Sequence, residues 1–379
     1  MKRTGHIKKI MEQLKNNPIV SILGPRQIGK TTLAREIAGK KDTALFDLEN
    51  PSDENRLSEP MLALEELRGL VVIDEVQRNP AIFPVLRVLA DRPKKSARFL
   101  LLGSASPHLI KGVSESLAGR MAFHELSGFS LEEVGEAKLK QLWFRGGFPL
   151  AFLAKNAKTS SEWKENFIRT FLERDIPQLG ISIPAASLRR FWTMVAHYHG
   201  NIWNAAEFAR SIGRSESVVR NYLDILTSTF LVRQLQPWYE NTGKRQVKSP
   251  RIFIRDTGLL HSLLGFSDLN ELQSHPKLGA SWEGFVIEEI IKLSDPGQSY
   301  FWATHAGAEL DLLLIRGKER WGIEIKYSDH PAVTKSMKIA IQDLNLKRLF
   351  IVCPKNERYK LSEKIEVIGL PEVLRLLAR

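Results

Sequence analysis

The chain has 379 residues, enough for two or three domains. Its hydrophobic content of 43% is ordinary for a soluble globular protein, and no apolar run approaches the ~20 residues of a membrane helix, so a membrane-spanning class is excluded. The formal net charge of +12 points toward a polyanionic partner, although a basic surface that binds nothing gives the same number.

The opening MKRTGHIKKI is basic but lacks the apolar block of a secretory signal, so a cytoplasmic protein without a membrane partner is expected. Cys353 is the single cysteine, which excludes an internal disulfide and a thiolate metal cluster. It lies in the apolar run LFIVC and is expected to be a buried, inert thiol.

Up to about residue 136, strand-like runs alternate with helical patterns. The strand runs are PIVSILG (18–24), TALFDL (43–48), LVVID (70–74), RFLLLGS (98–104) and MAFHEL (121–126). Such alternation predicts an α/β domain with a parallel sheet covered on both faces. Gly24, Pro25, Arg26, Gln27, Ile28, Gly29, Lys30 and Thr31 fit the P-loop pattern G-x-x-x-x-G-K-S/T, with Thr32 following, between an apolar strand and a helix. The glycines let backbone N–H groups turn toward phosphate oxygens, and the helix N-terminus adds its positive end. Lys30 can reach the β- and γ-phosphates of ATP, and the Thr31 hydroxyl can ligate Mg²⁺. Asp74 and Glu75 close the next strand as a Walker B pair does: Asp74 would hold Mg²⁺, directly or through water, and Glu75 would polarise the attacking water as general base. Ser104 ends the following strand, where a residue touching the γ-phosphate or the water is expected. Arg120 is a candidate for the arginine that stabilises transition-state charge, in cis or from a neighbouring subunit; a surface ion pair is the competing expectation.

From 137 to 200 the pattern is mostly helical, opened by the turn Gly146-Gly147-Phe148-Pro149. The stretch AAEFARSIGRSESVVRNYLDIL reads as two helices broken at Gly213, with Ser215 as N-cap of the second. Val218, Val219, Tyr222, Leu223 and Leu226 would bury one side, leaving Ser215, Glu216, Ser217, Arg220 and Asn221 exposed as on a recognition helix. A basic hairpin with Lys244, Arg245 and Lys248 follows, resembling a wing that reaches phosphates. Between about 185 and 260, 11 Lys/Arg face 5 Asp/Glu, so DNA is the expected partner of residues around 204–250. Winged helices that bind only protein are the alternative.

A second, smaller α/β unit follows from about 270. Asp311 lies on one strand, and Glu324 and Lys326 lie two apart on the next, on one face. Such a set suits a Mg²⁺-dependent phosphodiesterase, with Asp311 and Glu324 holding the metal and Lys326 orienting water or offsetting charge. Glu283, on the preceding helix, could complete it; a polar strand face carrying an ion pair is the competing reading.

Taken together, GPRQIGKTT (24–32), VVIDEVQ (71–77), LLGSAS (101–106), SLAGR (116–120), GGFP (146–149), FLERDI (171–176), DTGLL (256–260), WEGFV (282–286), ELDLLL (309–314) and IEIKYS (323–328) resemble the prokaryotic AAA-superfamily ATPases that carry a C-terminal PD-(D/E)xK nuclease-like domain of unknown function. The resemblance covers essentially the whole chain. It implies an AAA-type P-loop domain (1–136), a helical lid and winged-helix domain (137–268) and a restriction-endonuclease-like α/β domain (269–379). It also implies phosphate and Mg²⁺ binding at Lys30 and Thr31, hydrolysis at Asp74 and Glu75, and a nuclease-like site at Glu283, Asp311, Glu324 and Lys326. AAA-type sites often form between subunits, which makes a homo-oligomer an expectation. The functional expectation is an ATP-hydrolysing, DNA-associated protein. The alternatives are a nucleotide-dependent protein-binding switch and a transcription regulator, each with a non-cleaving nuclease-like domain.

Overall fold

Ile19–Gly24 (β1) is buried at all six positions, as a strand must be when both faces of its sheet are covered. A computed structural model describes residues 1–39, 43–92, 97–104, 117–240, 243–294 and 298–378, and the chain divides into two units. The first comprises Met1–Gly128 and Ser228–Phe230; the second comprises Phe129–Thr227 and Leu231–Arg379.

In the first unit β1 is joined by β2 (Thr43–Asp47), β3 (Gly69–Asp74), β4 (Ala97–Ser104) and β5 (Met121–Glu125), the runs expected from the sequence. Their order is β2-β3-β4-β1-β5, and every pairing is parallel. Because β4 lies between β1 and β3, the chain reverses its lateral direction here, and the carboxyl ends of these strands border the crevice where open α/β sheets bind ligands. The helix Ile82–Asp91 buries Ile82, Phe83, Leu86 and Leu89 at helical spacing against the sheet. A helix not foreseen from the sequence, Thr4–Asn16, is fastened beside edge strand β5: Gln13 donates to the Phe123 carbonyl (3.1 Å), and His6 Nδ1 meets His124 Nε2 at 2.8 Å.

The second unit contains a six-stranded sheet of β8 (Ser299–Ala303), β9 (Glu309–Arg316), β10 (Glu319–Ile325), β11 (Arg348–Cys353), β12 (Arg358–Lys360) and β13 (Ile365–Gly369), in the order β12-β13-β11-β10-β9-β8. The pairs β8–β9, β9–β10 and β12–β13 are antiparallel; β10–β11 and β11–β13 are parallel. One face packs on the helix Leu278–Leu293, which is buried over most of its length, and the other on Met337 and Ala340 of the helix Lys335–Asp343. Phe129, Trp143, Phe144 and Phe152 belong to the same apolar core as Leu312, Ile323 and Phe350, so residues 129–152 share a core with the C-terminal sheet. Cys353 is buried, as expected.

The motif glycines mark close approaches. A Cβ on Gly258 would lie 2.1 Å from the Arg145 carbonyl oxygen, and one on Gly284 would lie 2.1 Å from His199 Nε2. Asp256 caps the helix Thr257–Leu263 through Leu259 N–H (2.9 Å) and also accepts from Gly147 N–H (2.7 Å), tying the DTGLL and GGFP segments together. Glu288 is buried between Arg233 and Arg255, whose charges outweigh burial and hold it down at about 2.

The helices Ala205–Ile212 and Glu216–Ser228 are joined through Gly213, whose φ of 70° supplies the left-handed cap. Ser215 Oγ accepts from Val218 N–H at 3.4 Å, and Ser215, Glu216, Ser217, Arg220 and Asn221 are exposed. Phe208 and Tyr222 of these helices pack edge-on or tilted against Phe191 and Trp203. A two-stranded antiparallel sheet follows, β6 (Val232–Leu235) with β7 (Arg251–Ile254). The segment between them departs from the projecting basic hairpin expected. Trp238 N–H donates to the Phe301 carbonyl (2.7 Å), Val247 N–H to the Ala303 carbonyl (3.0 Å), and Lys244 pairs with Asp343 (2.6 Å). β8 is an edge strand whose outer N–H and C=O groups need partners, and this segment supplies them.

Candidate functional site

The loop after β1 is built from steric necessity. A Cβ on Gly24 would sit 2.3 Å from the Leu126 carbonyl oxygen, so this position requires glycine. Gln27 (φ 60°) and Gly29 (φ 95°) turn the chain through left-handed conformations into the helix Lys30–Ala38. That helix has no side-chain cap and no acidic residue in its first turn. Its N-terminal backbone groups and positive end therefore face the loop, the arrangement an anion needs. Lys30 is 6% exposed, and its ammonium donates to the carbonyls of Gly24 (3.0 Å) and Pro25 (2.9 Å).

β3 delivers Asp74, also buried, against this turn: the Thr31 hydroxyl donates to Asp74 Oδ2 at 2.6 Å. A hydroxyl and a carboxylate converging beside an anion site are the hard oxygen donors that Mg²⁺ takes, so these residues fit the ion. Glu75 follows with φ 51°, a strained conformation for glutamate that tends to persist at functional sites. Its backbone N–H donates to Asp74 Oδ1 (2.9 Å), and its carboxylate accepts from the Gln77 amide. Arg26 pairs with Glu49 at 3.0 Å, Ile28 is buried, and Gln27 and Thr32 are exposed. Ser104 pairs in register with Gly24 at the end of β4; its side chain lies outside the described residues. Arg120 makes two hydrogen bonds to Asp91 (2.6 and 2.8 Å), the surface ion pair that competed with a catalytic role.

In the second unit, Glu283, Asp311, Glu324 and Lys326 do converge. Lys326 Nζ lies 2.8 Å from Glu324 Oε1, and Asp311 Oδ2 accepts the Ile325 backbone N–H at 2.9 Å. Asp311 sits at a register shift: Tyr300 opposes Leu313 but Trp302 opposes Leu310, so Phe301 faces two residues, Asp311 and Leu312. Such a bulge re-aims a side chain, here into the cluster. Sequence alone gave no signal for the fifth member, Arg251 of β7. Its guanidinium lies 2.7 Å from Glu283 Oε1 and 3.4 Å from Asp311 Oδ1. The contact to Glu283 is electrostatic, since the oxygen lies off the N–H direction and accepts no aligned hydrogen bond. Burial, then the charge of Asp311, pushes Glu283 well above the ordinary glutamate value, and the same causes raise Glu324. Burial opposes the charge on Lys326, but Glu324 and Asp311 outweigh it and raise its pKa. Among the described residues no group of three or more His, Cys, Asp or Glu side chains is arranged to hold a metal ion. The expected Mg²⁺ set of Asp311 and Glu324 does not fit the ion as it stands, because cationic side chains engage both carboxylates.

The first unit is thus a P-loop domain of the AAA type: residues 16–135 match a family described as AAA domain. Residues 136–270 and 278–373 match two families described as domains of unknown function, DUF8612 and DUF4143. The chain belongs to the family of the uncharacterized proteins Rv2008c of Mycobacterium tuberculosis and Mb2031c of Mycobacterium bovis, each 49% identical over 374 residues, 99% of this chain and 85% of the relative. Among solved structures, the Walker-type ATPase PABY2304 of Pyrococcus abyssi has a similar fold, with a TM-score of 0.51 at 15% identity over 69% of this chain and 95% of that one. No helix among the described residues is long and apolar enough to cross a membrane.

Proposed function

We propose that this protein binds and hydrolyses ATP at the site formed by Lys30, Thr31, Asp74 and Glu75, and that turnover acts on a DNA-associating helix pair at residues 205–228. The observation carrying the first half is the 2.6 Å contact of Thr31 with Asp74 beside an uncapped helix N-terminus. Lys30 exchanges its carbonyl contacts for the β- and γ-phosphate oxygens. Thr31 and Asp74 would hold Mg²⁺, which when bound would offset the phosphate charge. Glu75, its carboxylate steadied by Gln77, orients and polarises the attacking water.

The support for DNA is narrower than the residue count implied. Arg220 pairs with Glu216, Arg189 with Glu165, Arg233 and Arg255 with Glu288, and Lys244 with Asp343. Exposed Arg210 and Arg214 flank the turn between the two helices, and they are the residues we assign to phosphate contact. We read residues 137–268 as a helical and winged-helix domain, and 269–379 as a nuclease-like fold that does not cleave, because Arg251 pairs with two of its carboxylates. The internal pairing of basic residues also favours a second reading, a nucleotide-dependent protein-binding switch. ATP turnover and retention on single- and double-stranded DNA, measured for wild type and Lys30→Ala, separate them. ATP hydrolysis with neither stimulation by nor retention on DNA would leave the switch.

A further inference from the structure

Arg251 is held in the carboxylate cluster by more than the carboxylates. Its backbone pairs with Leu235 in the β6–β7 sheet and bridges to Ile202. Its Nε donates to the Gly200 carbonyl at 2.7 Å, and its guanidinium lies 5.4 Å from the Phe253 ring centroid and 6.0 Å from that of Phe301. Glu283, Asp311 and Glu324 together face two cations, Arg251 and Lys326. Without Arg251, and with all three carboxylates ionised, the surplus would be two negative charges, the charge of one divalent ion. Glu324, only 3% exposed, has an oxygen, Oε2, with no hydrogen-bond donor in reach. A buried carboxylate oxygen so placed calls for a ligand or for water.

We infer that Arg251 is a built-in counter-cation that keeps a divalent metal ion out of the Glu283–Asp311–Glu324 cluster, and that withdrawing it converts the cluster into a metal site. This rests on the closed reading of the C-terminal domain and not on the ATP site. An ammonium ion or a water molecule offsets less of that surplus. Water brings no charge, whereas a divalent ion matches the surplus left by withdrawing Arg251 when all three carboxylates are ionised.

The test is Mn²⁺ binding, followed by loss of the free-ion electron paramagnetic resonance signal, on the nucleotide-free full chain. Asp74→Asn is present throughout to remove the P-loop site. Arg251→Met is expected to bind one Mn²⁺ at least tenfold more tightly than its parent, and added Asp311→Asn is expected to return binding to the parent level. Equal binding by parent and Arg251→Met, or tighter binding that survives Asp311→Asn, overturns the inference. Should Arg251→Met lose its cooperative melt, Arg251→Gln, neutral and hydrogen-bonding, serves under the same two criteria. Arg251→Lys keeps the charge and is expected to stay closed; a Mn²⁺ site in that variant would also contradict the counter-cation role.

Discussion

Asp256 receives N–H groups from two separate segments, and replacing it with Ala removes both acceptors at once. Loss of the cap on the helix Thr257–Leu263 costs about 1 kcal/mol. Leaving the Gly147 N–H without its acceptor costs about 1–3 kcal/mol, toward the low end because that bond is only partly buried. Part of this is offset, since burial pushes the Asp256 carboxyl above its ordinary value, against the two N–H donors. The net expectation is a loss of roughly 1–2 kcal/mol, or about 2–8 °C in Tm for a unit of this size. Asp256→Asn keeps one acceptor but turns an amide toward the other N–H, so it recovers less than half of the loss. Urea unfolding followed by tryptophan fluorescence reads the second unit through buried Trp143, Trp192 and Trp282. A change in Asp256→Ala below about 0.5 kcal/mol, the scale of surface substitutions, would refute the claim that this carboxylate joins the GGFP and DTGLL segments.

Three further outcomes follow from particular residues. Replacing Arg210 and Arg214 together with Ala should lower the slope of log K against log salt for DNA retention by about 1.8, the value for two lost phosphate contacts; an unchanged slope removes these arginines from the interface. Burial holds His261 neutral, with its pKa lowered to about 3. A group lowered in the folded state stabilises above its unfolded value near 6.5, and that stability is lost as pH falls toward 3. The stability gap between wild type and His261→Gln should therefore narrow below pH 6.5, by up to about 1.4 kcal/mol per pH unit; a gap independent of pH in urea melts would count against a buried neutral imidazole. Gly24→Ala must displace the Leu126 backbone, since its Cβ would lie 2.3 Å from the carbonyl oxygen, and should cost at least about 1–3 kcal/mol together with ATP affinity; wild-type affinity would show that the loop tolerates the methyl group.

The first unit was largely legible because its signals are local. An apolar run of five or six residues specifies a strand buried on both faces, and the P-loop and Asp74-Glu75 report their own positions at strand ends. The convergence of Asp311, Glu324 and Lys326 was legible for the same reason, since alternation along β10 and one hairpin suffice to bring them together. What stayed hidden depends on contacts between residues far apart in sequence. Arg251 reaches Asp311 across 60 positions, and nothing around Arg251 distinguishes it from the neighbouring surface arginines. The bulge opposite Phe301 arises from pairing with β8, and the segment between β6 and β7 lies along β8 because that edge has unpaired backbone groups. Composition read that segment as a free basic hairpin, since charge counts carry no information about internal partners such as Asp343. The short strands β12 and β13 were also missed: β12 is only three residues with charged ends, β13 carries Glu366, and their register comes from pairing, β13 with β11 and β12 with β13.

The central claim is that Lys30 and its P-loop bind ATP for hydrolysis, and its most direct test is steady-state ATP turnover by wild type and Lys30→Ala with Mg²⁺ present. Turnover is expected in the wild type and a fall on the order of 10²–10³-fold in the variant, with the cooperative melt retained. Turnover in Lys30→Ala equal to that of the wild type would contradict that claim.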